Sequence, residues 1–232
     1  MIRENEMNCE FKLAFQKTIP ILAGFAFLGM AYGLYMNQLG FNFLYPTLMA
    51  MTIFGGSVEF VVGNALLKAF NPWGVLLLTA IINSRHLFYG ISMLERYKNT
   101  GWRKVYLLFG MVDESFSINY ATKLPEDVDR KKFYFYVTLL DHFYWVMGTM
   151  AGALLGSLIT FQIKGIDFVM VALFIVLFMD QYVNEEKHFN SLTGIVLALA
   201  SLFIFGLEYF LPISMLLMVG VLYIRYRKEQ QL

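Results

Sequence analysis

Apolar runs recur along the chain at about residues 18–37, 43–70, 73–95, 105–121, 133–160, 166–183, 191–206 and 209–225, with polar residues confined to short intervals between them. Crossing the hydrocarbon core of a bilayer takes about 20 apolar residues of helix. The pattern therefore predicts an all-α, polytopic integral membrane protein with six to eight membrane segments. Pro20, Pro46, Pro72 and Pro212 stand near the starts of these runs, where a missing N–H costs little and the fixed φ suits a helix. Asn71-Pro72 reads as a cap followed by a first helical turn. The last two runs are short: two thin crossings broken around Gly206 and Pro212, or one broken unit.

Two runs carry glycine and acid in their interiors. Phe54-Gly55-Gly56-Ser57-Val58-Glu59-Phe60 stands in 43–70, and Phe109-Gly110-Met111-Val112-Asp113-Glu114-Ser115-Phe116 in 105–121. Broken or re-entrant segments at both places would present helix ends at a midplane site, and the matched pair hints at an inverted repeat. The basic residues agree. They cluster before the first run (Arg3, Lys12, Lys17), at 96–104, at 123–132 and at the C-terminus (Arg225, Arg227, Lys228). The positive-inside rule places such clusters in the cytoplasm, and all four reach it if 43–70 and 105–121 do not cross fully. This reading divides the chain into a cytoplasmic N-terminal segment (1–17), one transporter domain (18–225) and a cytoplasmic tail (226–232), with the N-terminus inside.

Composition narrows the class. Hydrophobic residues are 58% and charged residues 15% of 232, against about 25% charged in ordinary soluble domains, so no separate soluble domain is expected. A net charge of +1 without a basic face argues against nucleic acid. Cys9 is the only cysteine, so no intrachain disulfide forms. No signal-peptide pattern precedes the first run. Metal-protease, P-loop and nucleophile-elbow spacings are absent; neither a cofactor nor an enzymatic activity is expected.

The most informative segment is 74–94, GVLLLTAIINSRHLFYGISML, whose only charge is Arg85. An arginine at that depth costs roughly 2.5–3.5 kcal/mol and marks an ion or solute path by default. Its fork suits the carboxylate of an amino acid; the plainer alternative is a structural ion pair with Asp113 or Glu114. On a continuous helix Arg85 and Tyr89 share one face, and Asn83 and His86 another. His86 is either a proton relay or a hydrogen-bonded helix contact. Glu59 accepts an ammonium group or snorkels from a shallow position, with Ser57, Asn83 and Tyr89 as neutral donors and acceptors. Asp113 and Glu114 point about 100° apart on a helix, so one pairs with Arg85 and the other titrates. Asp141-His142 with Tyr144-Trp145 forms a further polar patch, belonging to the charge network or to the headgroup belt. Gly148, Gly152 and Gly156, and likewise Gly29 and Gly33, form small-residue stripes for close helix packing.

The runs GGSVEF (55–60), NSRHLFYGISM (83–93), GMVDESF (110–116) and YWVMGTMAGALLG (144–156) resemble the AzlC family, the large subunit of AzlCD/YgaZH-type branched-chain amino acid exporters. The resemblance covers most of 18–160, and the family more often has Gln where this chain has Glu59. It implies export of leucine, isoleucine, valine and similar solutes, a small membrane partner of the AzlD type, and the bacterial cytoplasmic membrane. Direction rests on the resemblance alone; beside the proton-driven exporter, a channel or import permease, with or without a partner ATPase, and an intramembrane enzyme using Asp141, His142 and His86 are the rival readings.

Overall fold

The computed structural model describes residues 2–159, except 68, 70, 84, 126 and 127, then isolated positions from 165 to 183, and 188–229. Most of the apolar run at 166–183 lies outside the described residues, as does Ser84. Every regular element among the described residues is an α-helix: α1 (Ile2–Gln38), α2 (Leu44–Thr52), α3 (Gly56–Ala65), α4 (Pro72–Ile82), α5 (Arg85–Met93), α6 (Arg103–Phe109), α7 (Asp113–Ala121), α8 (Arg130–Leu158) and α9 (Phe189–Glu229). Residues 1–169 form one compact unit and 170–232 a second.

Two long helices, α1 and α8, make the most extensive pairing of the first unit. Their small-residue stripes face each other. A Cβ on Gly29 would lie 2.9 Å from the Thr149 amide nitrogen, and one on Gly148 2.9 Å from the Phe25 carbonyl. Further along, Gly33 is closed over by Thr149 and Ala153, Gly152 by Met30, and Gly156 by Asn37. Backbones can approach this closely only where side chains are missing, which is how helices associate without a hydrophobic driving force from lipid. The stripes read from sequence are therefore one interface. On its N-terminal side the pairing is tied by polar contacts: Lys132 meets the buried Glu10 at 3.6 Å, and the Thr18 and Tyr144 hydroxyls lie 3.2 Å apart.

Around this spine the chain has three jointed pairs of half-helices of 7 to 11 residues each; α2, α3, α6 and α7 contact α1 or α8, while α4 packs on α3. The joints between α2 and α3 and between α6 and α7 fall at Phe54-Gly55 and Gly110–Val112, at the glycines that suggested breaks. Phe54 is held at φ +46, a left-handed conformation that a bulky residue adopts only under constraint. The third joint was not expected. Segment 74–94 is divided near Asn83 into α4 and α5, bent by 56°. Asn83 and His86 therefore do not share the face of a continuous helix, and Arg85 is the first residue of a half-helix.

Among the described residues two helices, Cys9–Gln38 within α1 and Phe189–Leu207 within α9, are long and apolar enough to cross a membrane, or three spans if the bent pair counts as one. The six to eight segments read from hydropathy are not reached among these residues: the jointed halves are each too short to cross alone, and most of 166–183 lies outside the described residues. Pro20 also departs from expectation. Helix α1 starts at Ile2 and continues through it, so residues 2–17 extend the helix. Pro46 and Pro72 do sit in first turns, and Asn71 Oδ1 caps α4 by accepting the Gly74 N–H at 3.0 Å. In the second unit, α9 is interrupted at Gly206, with φ 71 and ψ 179, a conformation open in practice only to glycine.

Candidate functional site

The starts of α3, α5 and α7 come together, and each is closed by a side chain from its own first turns. The N–H of Gly55, left without a helical partner, donates to Glu59 Oε1 at 2.9 Å. At α7 the Val112 N–H donates to Ser115 Oγ at 3.0 Å, and that hydroxyl donates to the Gly110 carbonyl at 2.9 Å. At α5 the Asn83 carbonyl accepts the His86 N–H at 2.9 Å and lies 3.2 Å from His86 Nδ1.

These joints touch one another. The Asn83 amide lies 3.8 Å from where Gly55 would carry a Cβ, linking the first joint to the second. The Phe54 ring lies 6.4 Å from Phe109 and 4.6 Å from His142, linking the first to the third and to α8. Arg85 Nη1 meets Asp113 Oδ2 at 2.6 Å, joining the first residue of α5 to the first residue of α7. Asp113 sits favourably at the positive end of its helix dipole. Arg85 does not, and its partner offsets that cost. The pair is only partly shielded, at 38% and 27% side-chain exposure, so it lines an accessible surface. Arg85 Nε has no hydrogen-bond partner among the described residues.

Glu59 is fully buried, which excludes a shallow, snorkelling acid. Its carboxylate also accepts the indole N–H of Trp145, at 3.0 Å to Oε1 and 3.2 Å to Oε2. The Trp145 ring stacks on Tyr32 at 6.2 Å and meets Phe25 edge-on at 5.6 Å. Ser57 lies half-buried in the first turn of α3 and makes no hydrogen bond among the described residues. Tyr89 stacks on Phe116 at 4.3 Å and touches His86 edge-on at 5.6 Å.

Three residues of the patch on α8, Asp141, Tyr144 and Trp145, are buried within the protein. Asp141 is 0% exposed, and neither carboxylate oxygen has a hydrogen-bond partner among the described residues. His142 Nδ1 lies 3.0 Å from the Tyr106 hydroxyl. Glu114, half-buried, follows Asp113 but takes no part in the pair with Arg85. Among the described residues no three His, Cys, Asp or Glu side chains gather as a metal ion would require. An apolar cleft of about 480 Å³ opens between α3 and α4, lined by Val62, Leu66, Pro72, Val75, Leu76 and Thr79 among others; it shares no residue with the charged cluster.

Sequence reasoning did not assign roles to Trp145, Tyr106 or Ser115. Trp145 lies one turn beyond Asp141, the only signal available. Ser115 has the Ser-three-from-the-joint spacing that resembles Glu59 four from its own.

The chain matches the family model described as AzlC protein over residues 20–159. It is 53% identical to the branched-chain amino acid transport protein AzlC of Bacillus subtilis, over 96% of this chain and 87% of that one. An uncharacterized membrane protein of Haemophilus influenzae is 49% identical, over 86% and 82%. The inner membrane protein YgaZ of Escherichia coli is 28% identical over 60% of this chain and 58% of its own. No solved structure matches. These matches, over most of the chain, make it a member of the AzlC family.

Proposed function

We propose that this chain exports branched-chain or similar apolar amino acids across the bacterial cytoplasmic membrane, driven by the proton gradient and assisted by a small AzlD-type membrane subunit. The Arg85–Asp113 pair carries the reading. A zwitterion presents one carboxylate and one ammonium group, and the pair presents a guanidinium and a carboxylate at the starts of two half-helices. A substrate entering between them exchanges one ion pair for two, so the site stays neutral whether loaded or empty. Asp113 engages Nη1 alone, so the guanidinium keeps further N–H donors for an incoming carboxylate. Asn83 and Tyr89 flank the pair, and the first-turn N–H groups near Ser57 add donors.

Glu59 serves the site indirectly, fixing the start of α3 against Trp145. His86 closes α5 in the same way. The name of the Bacillus subtilis relative supports branched-chain amino acids as the substrate class. The basic clusters support a cytoplasmic N-terminus, with 18–225 as the transporter domain.

The test is efflux of preloaded labelled leucine, isoleucine and valine from cells lacking their own exporters. Faster, uncoupler-sensitive efflux only when the chain and its small partner are both present is the expected result. Uptake that needs ATP instead would replace the exporter with an import permease.

A further inference from the structure

Asp141 sits in the interior with no opposite charge paired to it among the described residues. The residue is 0% exposed and both oxygens lack a partner among the described residues. The nearby cations are engaged elsewhere: Arg85 on Asp113 at 2.6 Å, and Lys132, roughly 13 Å of helix rise away, on Glu10 at 3.6 Å. The groups that face Asp141 are acidic or neutral. Glu114 of α7, Tyr106 of α6 and Tyr144 of α8 lie within electrostatic reach. His142 is turned toward Tyr106 and Phe54, with the last carbonyls of α2, Ala50 and Met51, toward its ring. Glu59 of α3 is held by Gly55 and Trp145, and α1 contributes the Thr18 hydroxyl on Tyr144.

A bare carboxylate in such a place costs far more than folding can absorb unless a positive charge accompanies it. No metal-binding group of three acidic, His or Cys side chains is gathered among the described residues. A proton needs no further ligands. Resting on the proton-driven reading above, we propose that Asp141 carries the coupling proton and passes it to Glu114 as the α6–α7 joint opens.

The coupling is geometric. Asp113 and Glu114 are the first two residues of α7, pointing about 100° apart around its axis. Asp113 pairs with Arg85, and Glu114 lies within electrostatic reach of Asp141. One movement of the α7 start therefore changes both contacts. When substrate draws Asp113 away from Arg85, Glu114 is repositioned against Asp141, and the proton moves from one carboxyl oxygen to the other with no other bond made or broken.

The experiment uses inside-out vesicles from cells expressing the chain with its AzlD-type partner, and labelled leucine, isoleucine and valine. Two readouts are taken on the same vesicles: uptake driven by an imposed pH gradient, and counterflow at equal pH. A gradient of one pH unit supports about tenfold accumulation for one proton per substrate. Asp141→Asn is expected to keep counterflow within about twofold and lose gradient-driven accumulation altogether. Accumulation equal to the wild type in that variant overturns the proposal. If the Asn variant loses both readouts, Asp141→Glu decides. Gradient-driven uptake regained with a displaced pH profile supports the carrier role, and failure to regain it overturns it. Should the wild type itself move substrate equally fast with and without a gradient, the proton-driven reading fails, and this proposal with it.

Discussion

The indole N–H of Trp145 on α8 donates to the Glu59 carboxylate at the start of α3, at 3.0 Å and across 86 residues of sequence. Gly56 makes room for it, since a Cβ there would lie 2.9 Å from the Trp145 ring. A half-helix joint is thereby fastened to the spine by one buried hydrogen bond.

Trp145→Phe keeps a large ring but removes the donor, leaving one acceptor of a buried carboxylate unmet. A loss of about 1–3 kcal/mol is expected, seen as a lower melting temperature in detergent. Glu59→Gln keeps the oxygen that accepts from both Gly55 and Trp145 and should cost less. An unchanged melting temperature for Trp145→Phe would sink the fastening role.

Arg85→Ala is expected to lower export by more than about tenfold while the protein still inserts. The pair is partly exposed, so its removal should cost stability only about 1–2 kcal/mol. Arg85→Ala with Asp113→Ala should recover the melting temperature but not transport. Arg85→Lys should also transport poorly, because an ammonium cannot serve Asp113 and a substrate carboxylate with the same fork. Wild-type efflux from Arg85→Ala would remove Arg85 from the substrate path.

Gly152→Val drives a branched side chain into the Met30 backbone. Overpacking of this kind costs about 1–3 kcal/mol or more, so reduced yield of folded protein and earlier melting are expected. Gly24 lies on the same helix α1 with open space around it, and Gly24→Ala should melt at or above the wild type. Equal behaviour of the two variants would be incompatible with the α1–α8 interface.

Gly206→Ala forces a Cβ into a conformation with φ 71 and ψ 179, at a cost of about 1–3 kcal/mol. Gly220 stands in the regular part of α9 with nothing near its missing Cβ. Gly220→Ala should stabilise the helix by roughly 0.5–1 kcal/mol. Thermal melts of the two variants are expected to move in opposite directions.

Much of this architecture was legible because charge is rare within the apolar runs and glycines stand beside it or recur every four residues. Gly55 and Gly110 marked two joints, and the stripes through Gly33 and Gly152 marked the helix interface. The joint at Asn83 escaped notice because no glycine or proline announces it; 74–94 has the length of a span, and length dominated the reading. The Arg85–Asp113 pair was one of two choices left open between adjacent acids, and only the direction of α7 decides between them. Trp145 reads as an interfacial aromatic until α3 is seen to lie against α8, a long-range contact that no local pattern encodes.

The three joints have a consequence for how such a carrier can fail. Arg85 and Asp113 each occupy the first residue after a joint, so under the proposed function the groups that grip the cargo would also be the groups that move with the joints. In a machine with its gate apart from its grip, a broken gate leaves a leak and a broken grip leaves a sealed, idle protein. Here the two faults merge: a substitution that loosens either joint weakens the hold on cargo in the same stroke, so damage tends toward silence and spares the cell's ion gradients.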